Sequence, residues 1–135
     1  MKFNKLIPEL VVSNLEKSKE FYTNIGFEVM YEREGFVFLE LETSQIMLCQ
    51  SKENDNWIPA KLEFPYGRGI NISIEVSDVD SLYNKIKSNA YKIFIEMADN
   101  YYRKDDVMLG NREFLIMDPD GYVLRFNQDI GEVEC

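Results

Sequence analysis

Histidine is absent from this chain of 135 residues, which removes the side chain most used to hold a divalent metal or to activate a nucleophile. Cysteine is scarce. Cys49 lies inside an apolar run and Cys135 ends the chain, a spacing that suggests neither a disulfide framework nor a zinc site. Both thiols are expected to be reduced, and Cys49 reads as a small buried apolar residue. Basic residues are also in deficit: 15 Lys and Arg against 24 Asp and Glu give a net charge of −9. The phosphate neutralisation that dominates nucleic-acid affinity is therefore missing, and no nucleic-acid partner is expected. No run approaches the ~18 apolar residues of a membrane span, and Met1-Lys2-Phe3-Asn4-Lys5 leads into a strand-like segment instead of a signal-peptide core. A cytoplasmic protein with no membrane association is expected. Gly67-Arg68-Gly69 lacks the spacing of a phosphate-binding loop and reads as a bend.

What is present suffices for one core: 45% hydrophobic residues and 13% aromatic residues in a chain of single-domain size, residues 1–135. The acidity has two readings, a solubilising surface or a field that attracts a cationic ligand. The most informative feature is a weak internal repeat. Leu10-Val11-Val12-Ser13-Asn14-Leu15-Glu16 corresponds to Ile74-Glu75-Val76-Ser77-Asp78-Val79-Asp80, in each case an extended apolar segment followed by Ser-x-x-acid, which can cap a helix. Helices are predicted from about Leu15 to Asn24, closed by Gly26, and from about Val79 to Asn89. Short apolar or alternating segments follow each helix: residues 27–31, 36–41 and 45–49, then 91–96, 112–117 and 122–127. Turn signals separate them at Glu34-Gly35, Glu42-Thr43-Ser44 and Asp118-Pro119-Asp120-Gly121. Module one spans about 5–50, a linker about 51–68, and module two about 69–128, with Met97 to Gly110 as an insertion.

The class is α+β, with two βαβββ modules. A single module's helix covers one face of its sheet and leaves the other unpaired, so the expectation is a curved mixed sheet around an elongated cleft.

The first-half string Leu10 to Tyr22, followed by Ile25-Gly26-Phe27, resembles the opening of the glyoxalase/bleomycin resistance proteins of the vicinal oxygen chelate superfamily. In the second half, Gly69-Ile70-Asn71, Glu75 to Asp80, Gly110-Asn111-Arg112-Glu113-Phe114 and Asp118 to Phe126 are similar to the bleomycin-resistance branch. The resemblance implies paired βαβββ modules, usually dimeric. Metalloenzyme members (glyoxalase I, extradiol dioxygenases, fosfomycin-modifying enzymes) hold a divalent metal with His and Glu. Antibiotic-binding members hold none and sequester bleomycin-type drugs as acidic dimers with aromatic-lined crevices. Carrying the metal positions across residue by residue places Ile7, Met47, Asn71 and Arg125 there, none of them a competent donor. A guanidinium at Arg125 repels a dication. A site of carboxylates alone, drawing on Glu40, Glu75 or Glu113, would be the remaining route to Mg²⁺.

The expected function is non-catalytic: a small-molecule-binding homodimer, of antibiotic-resistance type and without a cofactor, that sequesters a bleomycin-like or other planar cationic compound. The alternatives are a metal-dependent lyase, isomerase or dioxygenase with displaced ligands, and an accessory module whose partner supplies the chemistry. Ligand-binding candidates are Trp57, Phe38, Tyr101, Tyr102, Phe114, Asn71 and Arg125. Trp57, in a polar loop, either faces a pocket or staples the linker to the body. Tyr101 and Tyr102 lie in the insertion, as a lid or a plain surface loop. Phe38 and Phe114 sit centrally on strands, where core packing competes with a cleft role. Asn71 and Arg125 could meet polar ligand groups, and Arg125 needs a partner such as Glu113 or Glu75. Glu113, of opposite parity to Phe114, is not itself assigned to a ligand.

Overall fold

A computed structural model describes residues 1–135 and divides the chain into two compact units. Unit 1 comprises Met1–Arg68 with Asp118–Tyr122, and unit 2 comprises Gly69–Met117 with Val123–Cys135. No helix is long and apolar enough to cross a membrane.

Unit 1 carries β1 (Glu9–Val12), α1 (Leu15–Ile25), β2 (Glu28–Arg33), β3 (Phe36–Leu41) and β4 (Ser44–Gln50). Its sheet runs β1-β4-β3-β2, with β1 parallel to β4 and the other pairs antiparallel. Ser18, Phe21, Tyr22 and Ile25 recur at helical spacing and form the buried stripe of α1. The sheet face bearing Leu10, Val12, Val37, Leu39, Ile46 and Leu48 is buried. Gln50, on that same face, accepts the Leu15 N–H with Oε1 at 2.8 Å and so places the start of α1 there.

The helix cap differs from the Ser-x-x-acid expectation. Asn14 is the N-cap and accepts from Lys17 N at 3.1 Å, while Ser13 donates both its backbone N–H and its hydroxyl to the Asp120 carboxylate. The second helix repeats the shift, with Asp78 capping Ser81 N at 3.0 Å. Asn and Asp are at least as good N-caps as Ser, so the cap falls one residue later in both halves.

The β3–β4 hairpin turns on Glu42 (φ 44°) and Thr43 (φ 71°), two consecutive left-handed residues without a glycine. A β-branched residue is a poor occupant of that region. We expect Thr43→Gly to stabilise the protein by about 1 kcal/mol, read as a higher urea midpoint at unchanged slope. A lower midpoint would show that the Thr43 side chain contributes more than its backbone strain costs.

Unit 2 carries β5 (Asn71–Glu75), α2 (Val79–Ser88), β6 (Ile93–Lys104), β7 (Val107–Met117) and β8 (Val123–Glu134), in the order β5-β8-β7-β6. Two four-stranded mixed sheets and two helices thus realise the expected pair of βαβββ modules. Ile74, Phe114, Ile116, Leu124 and Phe126 are buried with Val79 and Ile86 of α2, and the Tyr83 ring meets Phe114 edge-on at 5.0 Å.

The expected insertion from Met97 to Gly110 is not a loop. β6 and β7 continue through it to a turn at Asp105 (φ 53°), and β8 runs alongside as far as Glu134. Tyr101 and Tyr102 are therefore strand residues and form no lid. Nearly all of β6 beyond Phe94 is exposed on both faces, so no apolar alternation marks it as strand. Its pairing comes from backbone hydrogen bonds, which leave no trace in hydropathy.

Candidate functional site

The polar face of the unit 2 sheet gathers three of the expected site residues. Arg125 on β8 donates from Nε to Asn71 Oδ1 on β5 at 3.1 Å, and its Nη1 lies 3.4 Å from Glu113 Oε1 on β7. Glu113 is almost wholly buried, and its Oε2 also accepts Asn100 Nδ2 at 2.8 Å and the Tyr102 hydroxyl. A buried carboxylate needs such donors, and here it has three. The Tyr102 phenol is pushed above its ordinary range, first by donating to Glu113 and then by burial and the carboxylate's charge.

Glu113 is the residue the sequence left unassigned. It pairs with Asn127 while Leu115 pairs with Arg125, so Glu113, Leu115 and Met117 share Arg125's face. Parity opposite to Phe114 was itself the signal, because Phe114 points into the core. Glu113, not Glu75, is the partner that Arg125 required.

Two aromatic candidates are corrected by burial. Phe38 is fully buried, between the edge-on ring of Phe3 at 5.3 Å and the stacked ring of Tyr31 at 5.4 Å. Phe114 is fully buried against Tyr83 and Phe126. Neither presents surface to a ligand, because each sits mid-strand, where packing on neighbouring rings is most complete. Tyr101 remains half-exposed with its ring over Gly110, where a Cβ would stand 2.8 Å from Tyr101 Cε1.

In unit 1, Trp57 is 84% exposed. Its backbone N–H donates to Asp55 Oδ1 at 3.0 Å, and it stands at a cavity of about 190 Å³ shared with Glu9, Val11, Cys49, Lys52 and Asp55. A larger cavity of about 460 Å³ shares Lys52 and Asp55 and reaches Lys61 and Tyr66. Burial pushes the Cys49 thiol above its ordinary pKa, so it lines the cavity as a neutral, poorly nucleophilic group.

The donor set does not fit a divalent metal. Ile7 precedes β1, and register places Glu9 beside Met47, as it places Ser73 beside Arg125. Asn71 Oδ1 is taken by a guanidinium, and both Glu113 oxygens accept other donors. Glu40 accepts Gln45 Nε2 at 2.7 Å, and no three His, Cys, Asp or Glu side chains converge anywhere on the chain.

Two βαβββ modules, each a four-stranded mixed sheet with one helix on one face, define the class to which this molecule conforms. The family model of the Glyoxalase/Bleomycin resistance protein/Dioxygenase superfamily matches residues 6–126, and the chain belongs to that superfamily. Solved structures of the same fold include a hypothetical protein from S. aureus, 23% identical with a TM-score of 0.70 and 95% of each chain covered. A glyoxalase/bleomycin resistance protein/dioxygenase from Alicyclobacillus acidocaldarius is 16% identical, with a TM-score of 0.69 over 95% of this chain and 92% of that one. A bleomycin resistance determinant encoded on the transposon Tn5 is 16% identical, with a TM-score of 0.66 over 96% of this chain and 100% of that one. No curated protein matches the sequence.

Proposed function

We propose that this protein binds a planar, cationic organic compound, such as a bleomycin-like drug, and sequesters it without chemical conversion, in the manner of an antibiotic-resistance protein. The observation that carries the reading is Trp57, an indole left almost wholly exposed beside the carboxylates of Glu9 and Asp55. An indole face attracts flat and cationic groups, and two carboxylates against the one ammonium of Lys52 leave the cavity net negative. The chain's net charge of −9 adds a field of the same sign. A side-chain set that does not suit a divalent metal supports binding over metal-dependent chemistry, and the resistance determinant of like fold supports the drug class. A homodimer belongs to the same proposal, with exposed Phe94, Ile95 and Tyr101 on the sheet-edge strand β6 as apolar surface for it.

Trp57 is the sole tryptophan, so its fluorescence reports on this cavity alone. Titration with bleomycin should change the emission saturably, and Glu9→Gln should weaken binding several-fold while the calorimetric unfolding stays unchanged. A flat calorimetric binding trace together with unaltered emission would remove bleomycin as the ligand. Equal affinity in Glu9→Gln would remove the charge argument.

A further inference from the structure

We propose that the polar face of the unit 2 sheet is a receptor for an organic carboxylate, with Arg125, Asn71 and Ser73 as its donors. The site is independent of the Trp57 cavity and of opposite chemistry.

The inference rests on which hydrogen-bonding atoms of this face are used and which are left over. A guanidinium can only donate, so the Asn71 atom 3.1 Å from Arg125 Nε must be its carbonyl oxygen. That fixes the amide's orientation and leaves Asn71 Nδ2 without an acceptor. Ser73 lies beside Arg125 across the β5–β8 pair, and its Oγ accepts Asn127 Nδ2 at 2.9 Å. Its hydroxyl hydrogen is then free to be donated elsewhere. Arg125 spends Nε on Asn71 and one Nη1 contact on Glu113 and also reaches the Tyr102 oxygen, which still leaves guanidinium hydrogens of its five to spare. The acceptors beside these donors are meanwhile engaged: Glu113 takes three donors, and Asn71 Oδ1 and Ser73 Oγ take one each.

The polar hydrogens left unused on Asn71, Ser73 and Arg125 are donors, and the groups that carry them are open to solvent. Asn71 and Ser73 are exposed, and the Arg125 side chain is 31% exposed even with its partners in place. Preorganised donors without acceptors are what an oxyanion requires, and the planar fork of arginine suits a carboxylate. The flanking positions set the remainder of the ligand. Leu115 pairs with Arg125, and Met117 and Asn71 both pair with Val123, so half-exposed apolar side chains border the donors. An anion joined to an apolar body fits better than a bare ion. Glu75 lies on the same face beyond Ser73 and repels an anion from that end, which orients the carboxylate toward Asn71.

The test is a titration of the whole ¹⁵N-labelled chain with sodium benzoate, with sodium phosphate and sodium chloride at matched ionic strength as comparisons, followed by amide NMR shifts. Benzoate should give saturable shifts at residues 71, 73 and 125, with a dissociation constant on the order of 1 mM. Chloride should give none. Asn71→Asp keeps the oxygen that Arg125 Nε contacts but turns the free donor into an anion, and should weaken benzoate binding at least tenfold. Ser73→Ala, at an exposed position, should weaken it about threefold. Saturation by phosphate and not by benzoate would overturn the carboxylate assignment in favour of a phosphate site. Shifts that neither variant alters, or the absence of saturable shifts with every anion, would overturn the site itself. Trp57 emission should stay constant throughout, so failure here is distinguishable from failure of the cation-binding reading.

Discussion

Gly121→Ala should cost about 2 to 5 kcal/mol of stability. Gly121 ends the Asp118-Pro119-Asp120-Gly121 turn at φ +85°, and a Cβ built there would stand 2.5 Å from Pro65 Cβ and 2.6 Å from Pro65 Cα. The first term is the strain of the left-handed region for a residue with a Cβ, about 1–2 kcal/mol. The second is overpacking, about 1–3 kcal/mol, and it cannot be relieved by turning a side chain because Pro65 Cα belongs to the backbone. Moving Pro65 would also disturb its neighbours, since Tyr66 N donates to Asp120 O at 2.9 Å and Gly67 N to Gly121 O at 3.1 Å. Gly35→Ala supplies the control: φ is +76° and nothing lies within 4 Å, so only the backbone term of about 1–2 kcal/mol remains. Urea unfolding of both variants measures the difference. Equal losses would show that the turn yields to the methyl and that the close approach to Pro65 carries no energy.

That turn was legible in the sequence as a turn, but its partners were not, and the same division runs through the molecule. Both helices fall within a residue of their predicted ends, because caps and a helical stripe of apolar residues are local signals: Leu15–Ile25 against Leu15 to Asn24, and Val79–Ser88 against Val79 to Asn89. β3 begins and ends where its turn residues place it. The long extension of β6 left no sequence signal because nearly all of its side chains are exposed on both faces, so period-two alternation never develops. Within the site, the meeting of Arg125 with Glu113 was open to parity alone, since residues two apart on a strand share a face. The burial of Phe38 was not, because it depends on Phe3, which reaches it from far along the chain. Trp57 beside Glu9 was equally invisible, joined as they are only through the folded unit.

Tyr22→Phe should destabilise the protein more at pH 7 than at pH 4. Tyr22 is fully buried in α1, and its hydroxyl donates to Asp118 Oδ2 at 2.7 Å. Asp118 is itself buried, and burial pushes its carboxyl from 3.8 up to about 6 despite hydrogen bonds from Tyr22 and from the backbone of Asp120 and Tyr122. A carboxyl whose pKa is raised by folding binds its proton more tightly in the native state. Its contribution to stability is fully present below the unfolded value and is lost as pH rises through the folded one. The window here is about pH 4 to 6, and the loss across it is about 3 kcal/mol at ~1.4 kcal/mol per pH unit. The Tyr22 hydroxyl limits that loss, because it favours the charged form. Its own pKa lies well above the ordinary range, again chiefly through burial, so it remains a donor throughout the window. Removing it should therefore cost about 1 kcal/mol at pH 4, where the partner is a neutral acid, and about 2–3 kcal/mol at pH 7, where it is a buried carboxylate. Asp118→Asn isolates the cause. The amide has the same shape, and its oxygen can still accept the two backbone N–H groups, but it carries no charge at either pH. In that background the cost of Tyr22→Phe should be the same at pH 4 and pH 7, so a cost that still grows with pH would place the titrating group elsewhere.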